Sequence, residues 1–516
     1  MSASFSATVV ATTPTSVVIE IRNGEPYQSP WLHHASIDGR EVYRGHANVF
    51  VVRGLAPATT HAVLIDSGDA QRVVTATTRA EHHRLDVRAF GAVGDGVHDD
   101  TAALQAALAC CPIDSTVVLP AGDWLSGPLF LKSRQCLELA HGARLLGHRD
   151  IARWPLLPAT LATIDGGEPL VLGTWEGLPA TCHASLLNAI GVEDVVIHGE
   201  GMLDGNAGFD TWWSRPKTPF AGWRPRTLFI AHARQVTVAG IALRNSPSWT
   251  LHALRSSDLA IAAVDVAAPA DSPNTDGINP ESCARVRITG VHVSTGDDCV
   301  GIKAGKRNPD GPPPPPSRDI VVSNSLMENG HGAVVIGSET AGGVHDVLAR
   351  DCIFRGTDRG FRIKTRRGRG RAAVVDGACL QNVRMQRVGT PFVVNSFYWC
   401  DPDGREPHVG DRQPRPVDDG TPSVRNLTLR DVECSDVAHS AVTVLGLPEA
   451  PIENLVIDGL RVRYAADAEA GYPDMGEGIE AVRHRGIHLL NVRGIALRGL
   501  DIEGHEGPLL VTDNVE

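Results

Sequence analysis

The chain repeats one short apolar pattern, apolar-x-apolar-x-x-apolar-x-apolar, along most of its 516 residues. Each half of the pattern alternates with the period of a β-strand, and the two residues between the halves mark a bend. The segments that fit are 236–243, 259–266, 286–293, 347–354, 427–434, 455–462 and 495–502, with 320–327 as a further copy that carries a serine in one apolar slot. The pattern therefore indicates pairs of short strands that meet at a corner.

The spacing of the copies indicates a stack of coils. From position 236 the first apolar residue advances by 23, 27, 34 and 27, to positions 259, 286, 320 and 347. A fixed local pattern with unequal steps is typical of a solenoid whose coils are alike and whose connecting loops vary. We predict an all-β protein with a right-handed parallel β-helix over residues 85–516. A β-sandwich with coincidental alternation is the alternative, which the number of copies disfavours.

Residues 1–80 lack this repeat and predict a separate small β-sandwich. The phrases GLAPATTHAVLI and VTATTRA place strands beside a proline-containing turn and resemble a fibronectin type III module. The segment FGAVGDGVHDDTAALQAALACC that follows resembles the opening segment of pectin-degrading β-helix proteins. It predicts a short helix from Thr101 to Ala109, capped by Asp100 and Thr101, that closes the N-terminal end of the stack.

Charge and composition exclude several partners. The formal net charge of -12 disfavours nucleic acid or an anionic membrane, and no apolar stretch approaches membrane-spanning length. The ten cysteines are scattered without a CxxC pair, so neither a zinc site nor a disulfide framework is expected. The start MSASFSATVV lacks a positive n-region, which favours the cytoplasm as written, or the periplasm or secretion if the start is truncated.

Candidate acids and a histidine recur at matching places of the repeat. Asp276 lies in PNTDGINP, and Asp297 and Asp298 lie in TGDDCVGIK. Asp297 follows the last apolar slot of its coil by four residues, and His331 does the same in the next coil. Equivalent residues of consecutive parallel coils lie about 4.7–4.9 Å apart. We therefore expect Asp297 and His331 to be neighbours, although paired aspartates alone also fit a solvated turn.

Two cations follow on the next coil. Arg362 and Lys364 alternate in the strand RGFRIKT and so share a face with the aspartates. Three crowded carboxylates raise the pKa of one of them, which supplies an acid near neutral pH, and glycoside hydrolysis needs such an acid beside an ionised carboxylate. Arginine and lysine suit a substrate with a carboxylate on each sugar. The run Arg366–Arg371 is expected to extend this basic surface, or to be a solvated loop.

The four motifs NTDG, GDD, GHG and RIK occur in the order and spacing of glycoside hydrolase family 28, the polygalacturonase family, which the chain resembles from about residue 85 to its C-terminus. The resemblance implies Asp297 as general acid, with Asp276 and Asp298 activating water in a single inverting displacement. It also implies that His331 maintains the protonation of the acid.

The resemblance also suggests the substrate contacts. Arg362 and Lys364 would hold the galacturonate carboxylate, and Asn274 in NTDG and Tyr398 in VVNSFYW are further candidates. The implied partner is a pectic poly- or oligosaccharide, without a metal or other cofactor; the oligomeric state is left open.

Loop lengths bear on the mode of action. The N-terminal sandwich and the long loops between coils resemble bacterial exo-acting members of the family, which remove sugars from the non-reducing end. The loop Arg307 to Ser317 contains five consecutive prolines and either walls off one end of the cleft or is a rigid spacer.

Three other functions stay open at this point. The chain fits a hydrolase of another uronide polymer such as rhamnogalacturonan, a β-helix lyase, or a non-catalytic carbohydrate-binding or adhesion protein. Arg362 and Lys364 favour a uronate at the cleavage site, and the intact acids count against a purely binding protein. A lyase of this shape typically uses calcium and a basic residue instead.

Overall fold

The computed structural model describes residues 5–308 and 311–516. Its first part is a sandwich of two antiparallel sheets with an apolar core. The strand orders are Ser6–Thr12, Ser16–Arg22, Val49–Arg53 in one sheet and Arg40–Ala47, Gln28–Ile37, Thr60–Ser67, Ala70–Thr77 in the other. The predicted N-terminal β-sandwich is confirmed. Its likeness to a fibronectin type III module and its boundary at residue 80 stay predictions.

From Arg84 onward the chain winds into three parallel sheets that share one apolar core. Sheet 1 begins with Arg84–Asp86, Ser115–Leu119, Gln135–Leu139, Glu193–Gly199, Arg234–Ala239, Ser257–Ala262, Ala284–Thr289 and Ser317–Ser323. Sheet 2 begins with Gly122–Ser126, Ala143–Gly147, Met202–Asp204, Ala242–Arg244, Asp265–Ala267, His292–Thr295 and Leu326–Asn329. In later coils single strands run through the corner between these two sheets: Val344–Arg355, Val374–Gln386, Ser423–Val437 and Ile452–Tyr464.

Sheet 3 carries the candidate site. Its strands are Leu129–Phe130, Leu187–Ile190, Leu228–Ala231, Leu251–Leu254, Ile278–Glu281, Asp298–Ile302, Gly332–Ile336, Arg359–Lys364, Thr390–Asn395, Ser440–Leu445, the first part of Arg485–Glu503, and Leu510–Val515. The rest of Arg485–Glu503 continues into the other two sheets. The predicted parallel β-helix is therefore confirmed.

The predicted register also holds. The first apolar slots of five successive copies pair directly, as Val236, Leu259, Val286, Ile320 and Val347. All five side chains are buried, so each coil covers the apolar residues of the coil before it.

The N-terminal end of the stack is closed by the helix Thr101–Cys110, which buries Leu104, Ala107 and Leu108. Asp100 occupies the predicted N-cap position, but its carboxylate makes no capping bond and instead accepts hydrogen bonds from the backbone of Val93 and Gly94. Another short helix is Pro407–Gly410, and the 3-10 turns are Val87–Phe90, Ile151–Arg153, Trp212–Ser214 and Pro402–Arg405. No helix in the described ranges is long and apolar enough to cross a membrane.

Loops between coils form small hairpins of their own. The short strand pairs are Leu156–Leu157 with Cys182–His183, Thr160–Leu161 with Leu170–Val171, and Thr174–Trp175 with Leu178–Pro179. The sandwich packs elsewhere, at the corner between sheets 1 and 2, where Glu20 pairs with Arg350 at 3.2 Å and accepts from Asn324 at 2.8 Å. The sandwich and the strands of sheet 3 therefore occupy different sides of the stack.

Candidate active site

Three aspartates meet at the beginning of neighbouring sheet 3 strands. Asp276 precedes Ile278–Glu281, and Asp297 and Asp298 stand at the start of Asp298–Ile302. These strands pair in parallel, so one oxygen from each carboxylate lies within 4.8 Å of the others. Asp276 is 2% and Asp298 1% exposed, whereas Asp297 is half-buried. Asp297 is thus the member of the cluster nearest to solvent.

Two buried lysines compensate the two buried aspartates. The Lys303 ammonium lies 3.3 Å from Asp276 Oδ2 and 4.0 Å from Asp298 Oδ2. Lys364 donates to Asp298 Oδ2 at 2.8 Å, and the Arg362 guanidinium lies 3.9 Å from Asp298 Oδ1. Buried carboxylates need such partners, because an unpaired buried charge is strongly destabilising.

The two buried aspartates differ in protonation. Burial, with added repulsion from Asp297 and Asp298, raises the pKa of Asp276 to about 7 in spite of Lys303. Burial also acts on Asp298, but Lys364, Lys303 and Arg362 together hold the pKa of that carboxyl below its usual value. The cluster therefore keeps one proton near neutral pH beside an ionised carboxylate, which is the pairing that glycoside hydrolysis requires.

His331 lies where the repeat predicts. Its coil pairs with that of Asp297, and its backbone N–H donates to the Asp297 carbonyl at 3.2 Å, so their predicted alignment is confirmed. The exposed imidazole is hydrogen-bonded through Nδ1 to Asp358 at 2.8 Å. This hydrogen bond, together with the charges of Asp297 and Asp298, raises the pKa of His331 although burial opposes the shift. The geometry favours a protonated imidazole beside the acids.

Arg362, Lys364 and Tyr398 form one buried group. The Tyr398 ring centroid lies 5.4 Å from the Arg362 guanidinium carbon and 5.3 Å from the Lys364 ammonium, within cation–π range. Arg362 also pairs with Asp474, which accepts a hydrogen bond from Asn395 at 3.0 Å. Both cations thus contact protein carboxylates, and Tyr398 supports them from one side.

Asn274 is held by a second arginine. It adopts a left-handed conformation with φ of 55°, and its side-chain oxygen accepts from Arg224 at 2.6 Å. Arg224 is buried and lies 5.2 Å over the ring of Trp175. The predicted substrate contact is therefore anchored to the loop that carries Trp175.

Sequence reasoning missed four charged partners in this site. Lys303 is the last residue of TGDDCVGIK and comes directly after the strand Asp298–Ile302. Its place in the same motif as Asp298 is the signal that could have identified it. Glu339, Asp358 and Asp474 fall outside the apolar repeat, so no periodic signal marks them. Glu339 is buried, and its Oε2 lies 3.4 Å from the Lys303 ammonium. Lys303 thereby connects the aspartates to a fourth carboxylate.

The arginine-rich run does not extend a basic surface as expected. Arg366, Arg367 and Arg369 are each 5% exposed or less. Arg366 donates to Asp403 at 2.8 Å, and Arg367 to Glu449 at 2.6 Å. The prediction was wrong because these guanidinium groups reach inward to loop carboxylates that are distant in sequence.

Three loops converge next to Glu339. The Lys306 backbone N–H donates to the Gly177 carbonyl at 2.9 Å, and the Lys306 ammonium pairs with Asp401 and lies 3.8 Å from Glu176. A Cβ on Gly177 would lie 2.8 Å from the Glu339 side chain, so this hairpin packs directly on it. The junction therefore lies beside Lys303, which joins Glu339 to the aspartates.

The proline-rich loop packs beside this junction. A Cβ on Gly305 would lie 2.8 Å from the Pro314 ring, so the prolines cover the turn that carries Lys306. Residues 309 and 310 of the same loop lie outside the described residues. Pro314 therefore packs against the turn that carries Lys306.

Gly301 leaves the space in which the site is assembled. A Cβ at this position would lie 2.7 Å from Asn279 Nδ2, 3.0 Å from Lys303 Cε and 3.3 Å from Asp276 Oδ2. Gly301→Ala is expected to lower kcat by roughly 10–10²-fold, since displaced catalytic groups lose their alignment. Steady-state kinetics checks this. Gly127→Ala is the control, because its Cβ would meet nothing closer than 3.4 Å; equal kinetics for the two variants would contradict the steric role of Gly301.

Comparison with known proteins is consistent with this geometry. Residues 146–474 match the family described as Glycosyl hydrolases family 28, and residues 85–136 match Rhamnogalacturonase A/epimerase, pectate lyase-like. A probable polygalacturonase of Vitis vinifera is 30% identical over 397 residues, which cover 75% of this chain and 76% of that protein. An exo-poly-alpha-D-galacturonosidase of Dickeya chrysanthemi is 26% identical over 466 residues, covering 80% and 71%.

A solved structure shares the fold over the whole chain. The Family 28 exopolygalacturonase of Yersinia enterocolitica superposes with a TM-score of 0.69 at 18% identity, covering 99% of this chain and 98% of that one. At this identity the likeness establishes the architecture, including the N-terminal sandwich as a part of the aligned length.

Proposed function

This chain belongs to glycosyl hydrolases family 28 and is a glycoside hydrolase of the polygalacturonase type, and we propose that it hydrolyses α-1,4 galacturonosyl linkages with inversion, from the chain end. The observation that carries the proposal is the placement of half-buried Asp297 over two buried, lysine-paired aspartates. In this arrangement Asp297 protonates the leaving oxygen, and Asp276 and Asp298 activate water.

The depth of the aspartates supports inversion. Their oxygens lie within 4.8 Å, closer than the roughly 6.5–9.5 Å usual for inverting enzymes and near the ~5 Å of retaining ones. The burial of these aspartates decides between inversion and retention more strongly than the distance between their oxygens, because Asp276 and Asp298 are buried and their Oδ2 atoms contact lysines. A nucleophile must touch the sugar carbon, whereas a base can act through an intervening water.

The cations support a uronate substrate. Arg362 and Lys364 lie on the strand beside the GHG coil, at the same face as the aspartates. We propose that they bind the carboxylate of the sugar at the cleavage site, with Tyr398 holding them in place and Asn274 contributing a further contact. His331 lies close to Asp297 and maintains the protonation of the acid by passing it a proton after each turnover, and the imidazole then takes a new proton from solvent.

The loop junction supports exo action. Gly177, Lys306 and Asp401 meet beside Glu339, which is itself in contact with Lys303 next to the aspartates. We propose that this junction closes the groove near the cleavage point, so that few sugars fit beyond it, as a chain-end enzyme requires.

Digestion of a defined oligogalacturonide, followed over time by NMR, tests the proposal. We expect galacturonate monomer from the first time points and the β anomer as the first product, since inversion of an α linkage yields β. Mixed oligomers at early times would refute exo action, and initial α product would refute inversion. Absence of any cleavage would refute the hydrolysis of galacturonan.

Activity is expected to fall as pH rises through about 7. The three carboxylates titrate together, so the proton held at Asp276 with a pKa of about 7 is the one that Asp297 must receive to act as the acid, and the cluster loses it in this range. The same shift means that Asp276 stabilises the fold fully below its unfolded pKa of about 4 and that this contribution is lost as pH rises through about 7. A profile of kcat against pH measures the first effect, and a flat profile between pH 6 and 9 would contradict it.

His331 also contributes to the fall of kcat at alkaline pH, and one variant separates its contribution from that of Asp276. In Asp358→Asn the carboxylate that raises the pKa of His331 is replaced by a neutral amide, which stabilises the charged imidazole less. The decrease in kcat caused by deprotonation of His331 then moves to lower pH, while the decrease caused by deprotonation of Asp276 stays where it is. An unchanged profile in Asp358→Asn would assign the whole decrease to the aspartates.

A further inference from the structure

A second cavity, of about 610 Å³, lies on the outer face of the late sheet 3 strands. Its lining includes Thr443, Arg485 and His488, together with Arg412 and Pro473 from two loops. In register, Arg362 pairs with Val393, Val393 with Thr443, and Thr443 with His488. At about 4.8 Å per strand, three steps place His488 about 14 Å from Arg362 along the sheet. The volume is in the range of small-molecule sites.

Two arginines face this cavity without a carboxylate partner. Among residues 5–308 and 311–516, neither Arg412 nor Arg485 forms an ion pair. The Arg412 guanidinium carbon lies 3.7 Å over the Phe397 ring, its Nη2 donates to the Glu477 carbonyl at 3.0 Å, and its Nη1 is buried with no hydrogen-bond partner in the part of the chain that the structure describes. Arg485 Nη1 lies 3.4 Å from His488 Nδ1.

The electrostatics of this group favour a bound anion. Burial lowers the pKa of His488, and Arg485 and Arg412 lower it further, while Asp513 opposes them. Arg485 and His488 line the cavity with partly exposed side chains, and a ligand carboxylate there would accept a charge-assisted hydrogen bond from the Arg485 guanidinium. The two acids of the lining, Glu480 and Asp513, are exposed at the rim, where carboxylates accept hydrogen bonds from sugar hydroxyls.

The cavity and the candidate active site share one wall. Pro473 lines the cavity, and the next residue, Asp474, pairs with Arg362 in the active site. The loop that carries both residues therefore separates the two sites.

We propose that this cavity is a second binding site for a carboxylate-bearing sugar, distinct from the cleavage site and centred on Arg412 and Arg485. The identity of the ligand class rests on the proposed function. Its source is either a distant sugar of the bound chain or a free acid sugar such as a product.

Titration with sodium galacturonate, followed by saturation-transfer NMR on the full chain, tests the proposal. Arg485→Gln is expected to weaken one class of galacturonate binding by about 10–100-fold, the loss typical of a charge-assisted hydrogen bond. Arg493→Gln is the matched control, because Arg493 lies on the same strand, outside the cavity, and pairs with Glu516. Galactose, which lacks the carboxylate, is expected not to bind there.

Identical galacturonate titrations for the unmodified protein and Arg485→Gln would overturn the proposal. Arg485→Lys keeps the charge, so partial binding in this variant separates a lost contact from a damaged fold. The titration does not depend on turnover, and its outcome is therefore distinguishable from a failure to hydrolyse galacturonan.

Kinetics on oligogalacturonides of increasing length identifies the source of the ligand. If Arg485→Gln lowers kcat/KM for long chains and not for the dimer, the site holds a distant sugar of the same chain. If kcat/KM is unchanged at every length while galacturonate binding weakens, the site takes a free acid sugar.

Discussion

Asp297→Asn is expected to lower kcat on polygalacturonate by roughly 10²–10⁴-fold, the usual contribution of a general acid. Asp297 is the half-buried member of the three-aspartate cluster and therefore the one that reaches the leaving oxygen. Asparagine has nearly the same shape but carries no transferable proton. Its amide keeps an oxygen that accepts from the backbone N–H of Asp298, as Asp297 does at 2.9 Å. The fold is therefore expected to persist.

Initial rates of reducing-sugar release measure this effect, and thermal unfolding verifies the fold. Asp319→Asn is the control, since Asp319 pairs with Arg287 on the outside of sheet 1 at 2.9 Å and is remote from the groove. Normal turnover by Asp297→Asn would reject the assignment of the acid, and a matching loss in Asp319→Asn would show that the effect is not local.

Lys303→Met is expected to lower the free energy of unfolding by about 3–5 kcal/mol at neutral pH, the usual cost of removing one partner from a buried ion pair. Its ammonium contacts Asp276 at 3.3 Å, Asp298 at 4.0 Å and Glu339 at 3.4 Å, and all four side chains are buried. Methionine fills similar space, leaves Asp276 without its lysine partner, and removes one of the cations near Asp298 and Glu339. Equilibrium unfolding in urea measures the loss.

The loss is expected to shrink as the solution is acidified. Burial acts to raise the pKa of Glu339, but Lys303 and neighbouring cations hold it far below its usual value. A lowered pKa stabilises the fold above the unfolded value of about 4.3, and this contribution disappears as pH falls toward the folded value. In Lys303→Met the carboxylates protonate more readily, so the two proteins approach each other in stability at low pH.

Lys217→Met is the matched control for this variant. Lys217 pairs with Glu176 at 2.6 Å, but its side chain is 60% exposed. An exposed pair of this kind contributes roughly 0–1 kcal/mol. Equal losses for Lys303→Met and Lys217→Met would contradict the role given to the buried cluster.

Much of the fold was predictable from the sequence because the signal is local and repeated. The slots at Val236, Leu259 and Val286 each mark the same inward position of a coil, and the structure pairs them directly. The same count placed Asp297 beside His331, since the number of residues after the last apolar slot is equal in both coils. A stack fixes register through its apolar core, so counting along one coil locates residues on the next.

The partners of these residues were not predictable in this way. Asp474 meets Arg362 across 112 positions and Asp358 meets His331 across 27, both from loops without periodicity. Arg366 and Arg367 turn inward for the same reason, because distant loop carboxylates are brought to them.

By itself, the sequence determined the parallel stack, its register and the face on which the acids and cations gather, because these follow from a repeat that each coil carries within itself. Only the tertiary structure decided which of the aspartates are buried, which lysines neutralise them and which loops meet beside Glu339. Those properties depend on burial and on charges from loops far apart in the chain. The pKa of Asp276 is raised only in the folded protein, where the side chain is buried and Lys303, Asp297 and Asp298 surround it.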